Sequence, residues 1–298
     1  MIFGADDNRV YLVPIVDVNW LVFAPFDPGR DFRIDPPDPD QALVDLGALM
    51  PIMRDLTDGK YVLTPHSGTY CRTAFYEGAL TDLYREACAG GADVAIHLHE
   101  EIKGAGVRFG EHVHVAEVME QCRLLLERAG ISPVAYRGGH YAYAPFMNAL
   151  LEQAGLLVDY SCCPGLDRPD RESVWSEAPT TAAMLPLAPR ASWSGQAISN
   201  VLEIPIGSDG LGSAYGNILH VEQSNLENLL RIWDVIVKRA ERSGMPQIVH
   251  CLFHTASVQD AAWLDRYCRF LEEVSARKGQ FVTSVEARGL YERFRTVE

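Results

Sequence analysis

Short apolar runs alternate with amphipathic stretches along most of the chain. Tyr11–Val16 is apolar at successive positions and predicts a buried strand ending at Asp17. Lys60–Thr64, Asp93–His97, Pro133–Tyr136, Leu156–Val158, Val201–Ile204 and Gln247–His250 repeat the signal, and Phe281–Thr283 predicts a last short strand. Between the strands, apolar residues recur at helical spacing. Leu43, Leu46, Met50 and Met53 form one stripe, with an interruption expected at Pro51. Tyr76, Leu80, Leu83 and Ala87 form a second, stopping at Gly90 and Gly91. Val115, Val118, Cys122, Leu125 and Ala129 form a third, closed by Gly130. A fourth helix is expected from Pro145 to Gly155, and a fifth carries Leu226, Leu230, Trp233 and Val237. Ser224 with Glu227, and Ser257 with Asp260, read as helix caps. The helix after Asp260 is expected to reach about Gly279, and one more helix follows the last strand. Residues 24–40 hold five prolines and predict a long loop, while 164–195 show no period.

This alternation predicts a mostly parallel sheet, either a β/α barrel or a doubly wound open sheet. No Gly-rich phosphate fingerprint follows the first strand. Instead, polar groups follow several strands: Asp17, His97, Arg137, Asp159 and the pair His250 and His254. Functional groups at the C-terminal ends of many different strands are the habit of a barrel, which is therefore expected. With no convincing linker, residues 1–298 are expected to form one domain. The net charge of −14 argues against a nucleic-acid or anionic-membrane partner. No apolar run is long enough to cross a membrane, and the N-terminus lacks a secretory pattern, so a cytoplasmic protein is expected. The 7 cysteines show no framework, which suits a reducing compartment, and neighbouring Cys162 and Cys163 are not expected to bridge.

The chemistry sits in four clusters. Asp17, ending the first strand, is a candidate metal ligand or general base, with Asn19 and Trp20 beside it as substrate contacts. His97-Leu-His99-Glu100-Glu101 offers imidazoles and hard oxygens that suit a divalent transition metal. Either His97 and His99 on one face of an extended segment, or His97 and Glu101 one helical turn apart, would hold it. Arg137 supplies a fixed charge, and Gly138 and Gly139 allow backbone to approach a ligand, with His140 next. Asp159 is placed to orient Arg137 or a base, and His254 is the right type for an acid that protonates a leaving amine. His66 lies at the same sheet end and could line a cleft. His112 and His114 read as surface residues, and His220 as incidental.

At these residues the chain resembles the polysaccharide deacetylases of carbohydrate esterase family four. It looks most like a divergent branch whose first motif is Asp-Val-Asp/Glu-Trp, read here as Asp17-Val-Asn19-Trp20. His97-Leu-His99 matches the branch's second motif. Tyr136-Arg-Gly-Gly-His-Tyr through Asp159-Tyr-Ser-Cys-Cys-Pro164, and Val249–His254, match the later ones. The resemblance implies a distorted (β/α)7 barrel and a metal-dependent hydrolase removing an N-acetyl group from an acetamido sugar. It implies a divalent metal, zinc foremost, on Asp17, His97 and His99 or Glu101, with Asp17 as ligand or base. Arg137 would orient the base or the substrate, His254 would be the acid, and a small molecule or oligosaccharide would be the partner. Asn19 stands where relatives carry a second acid, and Glu101 where they carry a second metal histidine. A metal-free amidohydrolase and a degenerate carbohydrate-binding barrel are the alternatives.

Overall fold

The computed structural model describes residues 10–21, 37–68, 73–102, 106–187, 193 and 197–295. Seven strands carry the fold: β1 (Val10–Val18), β2 (Val62–Gly68), β3 (Asp93–His99), β4 (Ala135–Gly138), β5 (Val158–Asp159), β6 (Ile198–Glu203) and β7 (Gln247–His254). All are parallel, in the order β6-β5-β4-β3-β2-β1-β7. β1, β2 and β7 are buried at every position, as expected of strands covered on both faces. The gap between β6 and β7 is spanned without a regular ladder. Ile206 bridges His250, with the Gly207 N–H donating to His250 O (2.8 Å) and the His250 N–H to Pro205 O (3.0 Å). Further along, His220 bridges Leu252. The sheet is thus a curled, irregularly closed barrel, the distorted (β/α)7 form expected from the sequence.

Helices α1 (Pro39–Thr57), α2 (Ala79–Ala89), α3 (His112–Arg128) and α4 (Met147–Ala154) join β1 through β5. α5 (Leu226–Ser243) precedes β7, and α6 (Ala261–Ala276) and α7 (Ser284–Arg295) follow it. The aperiodic stretch before β6 holds a small hairpin, Asp167–Arg168 with Ser173–Val174, and a strand, Ala183–Pro186, antiparallel to β6. Gly279–Phe281, not Phe281–Thr283, pairs with β1. A Cβ at Gly279 would lie 2.5 Å from Val274 and 2.8 Å from Trp233, so only glycine lets this strand pass the α5–α6 layer.

Several local expectations are corrected. α1 runs unbroken through Pro51, whose exposed position puts the lost hydrogen bond on the solvent side, where Gly47, the owner of the freed carbonyl, is also exposed. α5 is capped by Asn225, whose side chain accepts from the Asn228 N–H (2.8 Å), not by Ser224. Its buried face is Leu229, Ile232, Trp233, Ile236 and Ala240, leaving Leu226, Leu230 and Val237 half-buried at its margin. α6 is capped by Asp260 alone, because Ser257 is turned inward to Glu222. Of the proline-rich stretch at 24–40, only 37–40 lie within the described residues, with Asp38 capping α1.

Candidate active site

The register brings the polar strand ends together. His254, Asp17 and Thr64 are paired across β7-β1-β2, and His66, His97 and Arg137 across β2-β3-β4. Residues paired across a parallel ladder share a face, so each row points one way. Both rows converge on Asp17, which is 3% exposed. Its Oδ1 accepts from Thr64 Oγ1 (2.5 Å) and its Oδ2 from Arg137 NH1 (2.7 Å). His254 Nε2 lies 3.4 Å from the same Oδ2, and His97 Nε2 3.6 Å. Burial would raise the Asp17 carboxyl, but Arg137, His97 and His254 outweigh it and hold the group well below the usual range.

His254 is clamped between two carboxylates. Its backbone N–H donates to Glu222 Oε1 (2.7 Å), and its Nδ1 lies 3.0 Å from the same oxygen, which also accepts from Ser257 Oγ (3.0 Å). Burial opposes the imidazolium, but Glu222 and then Asp17 prevail and raise the His254 pKa above its ordinary value. His220 is not incidental: it is buried, with Nδ1 3.3 Å from Glu222 Oε2 and its ring 5.6 Å from that of His254. Glu222 was not anticipated. The available signal was the alternation Ile218-Leu-His220-Val-Glu222, which puts two polar groups on one face of an extended segment.

On the other side of Asp17, four histidine rings pack together. The His66 and His99 rings stack at 4.7 Å, His97 meets His99 edge-on at 5.0 Å, and His140 lies 4.9 Å from His99. His97 Nδ1 is 3.0 Å from Arg137 O, so it carries the proton, and Arg137 NH1 donates to His97 Nε2 (3.1 Å). His99 Nδ1 is 2.5 Å from Glu101 Oε1, which His140 Nε2 also contacts. Burial keeps His97 neutral, with its pKa lowered to about 3, and likewise lowers His66.

The remaining predicted residues are placed as follows. The Asn19 backbone N–H donates to Thr255 Oγ1 (3.0 Å), and its Oδ1 is buried without a hydrogen-bond partner among the described residues. Trp20 stacks on Phe75 at 5.2 Å and abuts His66. A Cβ at Gly139 would sit 2.5 Å from the His99 ring, and one at Gly138 1.9 Å from Ala142 O, so both glycines serve close packing. His140, with φ 54°, is occupied by Glu101. Asp159 does not reach Arg137: its Oδ1 accepts from Ser161 Oγ (2.7 Å), which accepts from the Gly138 N–H (2.8 Å). His250 lies deeper, with Nδ1 2.8 Å from Ile204 O. His112 is exposed, but His114 is not a bystander, since its Nε2 meets buried Glu100 at 2.6 Å. Cys162 and Cys163 are buried free thiols.

Three groups among the described residues gather ligand atoms within 4.8 Å of one another: His66/His97/His99, His99/Glu101/His140 and His220/Glu222/His254. The first suits a divalent transition metal by its donors, three imidazoles, of which burial keeps His66 and His97 uncharged. The Asp17/His97/His99 set is not among them: Asp17 Oδ2 lies 3.6 Å from His97 Nε2, but the three residues do not bring their ligand atoms within 4.8 Å of one another, and Arg137 NH1 bonds to both Asp17 and His97.

This barrel has the fold of the polysaccharide deacetylases. Over 99% of this chain and 93% of the other it is similar to a Mycobacterium smegmatis protein assigned as a polysaccharide deacetylase, at TM-score 0.60 and 15% identity. It is similar to an assigned glycoside hydrolase/deacetylase from Parabacteroides distasonis at TM-score 0.66 and 13% identity, over 97% of this chain and 73% of that one. PuuE allantoinase matches at TM-score 0.59 and 14% identity, over 96% and 90% of the two chains. No family profile matches the sequence, and no curated protein does. No helix among the described residues is long and apolar enough to cross a membrane.

Proposed function

We propose that residues 1–298 form one hydrolase domain acting on a carbon–nitrogen amide bond, removing an N-acetyl group from an acetamido sugar. The observation that carries this is His254 poised between Glu222 and Asp17. Amide hydrolysis must expel an amine, and an amine leaves only when protonated. A histidine whose pKa is raised above its ordinary value, with Nε2 facing Asp17 at the strand ends, is suited to give that proton. Asp17 stays ionised, and Arg137 fixes its Oδ2 as the acceptor toward which the attacking water's proton is drawn. His97 and His99 would hold a divalent cation, zinc foremost, which when bound supplies Lewis-acid polarisation of the amide carbonyl. Asn19 Oδ1 and Arg137 Nε, both buried without a partner among the described residues, suit contacts to substrate. Trp20 supplies an apolar wall beside them. The deacetylase-type neighbours support an acetylated sugar, a small molecule or oligosaccharide, as the substrate.

A second reading is favoured by one observation. The guanidinium bonded to Asp17 and His97 occupies the place a metal on those two would need, which suits a metal-free amidohydrolase on a small cyclic or linear amide. The test is acetate and free-amine release from N-acetylated sugar nucleotides and oligosaccharides, beside cyclic and linear amides, before and after metal stripping. Acetate from a sugar that falls on stripping and returns with zinc supports the first reading. Turnover of a small amide, unaffected by stripping, replaces it with the second.

A further inference from the structure

We propose that His66, His97 and His99 form a three-imidazole site for a divalent transition cation, zinc or cobalt, with Asp17 outside the ligand set. This deepens the hydrolase reading above and rests on it for the cation's use, but not for its place. Each ligand comes from a rigid strand: His66 and His97 are partners across β2 and β3, and His99 follows two positions on along the same face. One ring nitrogen from each lies within 4.8 Å of the other two.

The orientation of the rings is fixed from behind. The Arg137 carbonyl takes the Nδ1 proton of His97, and the Glu101 carboxylate takes that of His99. This leaves Nε2 as the nitrogen that can bind a cation in both rings; in His97 it accepts from Arg137 NH1 (3.1 Å), a hydrogen bond the cation would displace. A carboxylate or carbonyl behind the imidazole is the usual support of a metal-binding histidine. Glu101 is itself held by His140, and the missing side chain of Gly139 makes room for the His99 ring. Glu101, at the position where the resembling family has its second metal histidine, therefore acts as a positioning residue for His99.

Asp17 is left out by distance: its carboxylate does not join ligand atoms of His97 and His99 within 4.8 Å of one another, and its Oδ2 is bonded to the Arg137 guanidinium at 2.7 Å. The guanidinium cancels the carboxylate charge beside the cation. A set of imidazoles selects zinc, cobalt, nickel or copper over magnesium and calcium.

The test reads metal, not turnover. Stripped protein is titrated with cobalt(II) alone, following visible absorption, and bound cobalt is counted after dialysis. Wild type should take up one cobalt per chain, and Asp17→Asn should bind it as wild type does. Glu101→Gln should weaken binding about 10–100-fold, the usual cost of losing an outer partner. His66→Gln should weaken it further, and should it fail to fold, Glu101→Gln carries the test. Cobalt retained by folded His66→Gln but lost by Asp17→Asn overturns the site. A wild type that binds no cobalt yet releases acetate also overturns it, while leaving the hydrolase reading standing. Cobalt uptake as described without acetate release supports the site and sinks the hydrolase.

Discussion

Asp17 Oδ2 is the point where one carboxylate meets Arg137, His97 and His254, and the chemistry divides there into an acid–base half and an imidazole half. His254→Ala should leave the fold intact and lower N-acetyl hydrolysis by about 10²–10⁴, the usual worth of a positioned acid. That is about 3–5 kcal/mol of barrier. The same variant should lose much less on the O-acetyl form of the sugar, because an alkoxide departs more readily than an amine anion; equal losses would deny His254 the acid's role. Glu222→Gln makes a second test. Activity that needs protonated His254 falls as pH rises through its raised pKa, and Glu222 is the largest contributor raising it. Removing that charge should move the alkaline limb of the kcat/KM profile to lower pH, and an unmoved limb would assign the limb to another group. Asp17, His97, Arg137 and His254 were legible because each ends an apolar run, where a polar residue stands out. Glu222 and the ring packing of His66 were not, because both depend on which chain segments the curled sheet brings alongside.

Strands and helices were legible wherever burial imposes a period. Their ends were not, since a cap depends on which side chain is free to turn back on its helix. Ser257 was read as a cap because of its spacing to Asp260, yet Glu222, 35 residues away, claims its hydroxyl. Pro51 was read as a break because the sequence does not show that its missing hydrogen bond falls on the exposed face. Replacing Pro51 with Ala restores that bond and removes the ring's clash, a change worth up to about 3 kcal/mol. The gain is offset by about 1 kcal/mol of restored chain entropy in the unfolded state. The urea midpoint should therefore rise; an unchanged or lower midpoint would show that α1 is already relaxed around the ring.

For the molecule as a whole, alternation of strands and helices made the barrel legible, while its irregular closure was not, because segments 205–207 and 219–221 carry no strand period. Just before the first of these, buried Glu203 hydrogen-bonds Asp159 and also accepts from the Cys162 N–H (3.0 Å). Burial, and then Asp159, push the Glu203 carboxyl well above its ordinary 4.5. Above about pH 4.5 the folded state therefore holds a proton that the unfolded chain has lost, so this group's contribution falls as pH rises toward the raised value. Glu203→Gln keeps the donor and removes the titration. Its Tm relative to wild type should increase from pH 4.5 to pH 8; a difference independent of pH would mean that the pair does not hold that proton. Hydrolysis of an N-acetyl amide through Asp17 and His254 is tested by paired measurement of acetate and free amine from an N-acetylated sugar, with wild type and Asp17→Asn. Wild type should release equal amounts of both products and the variant neither; no acetate from wild type, or the same yield from Asp17→Asn, would rule this chemistry out.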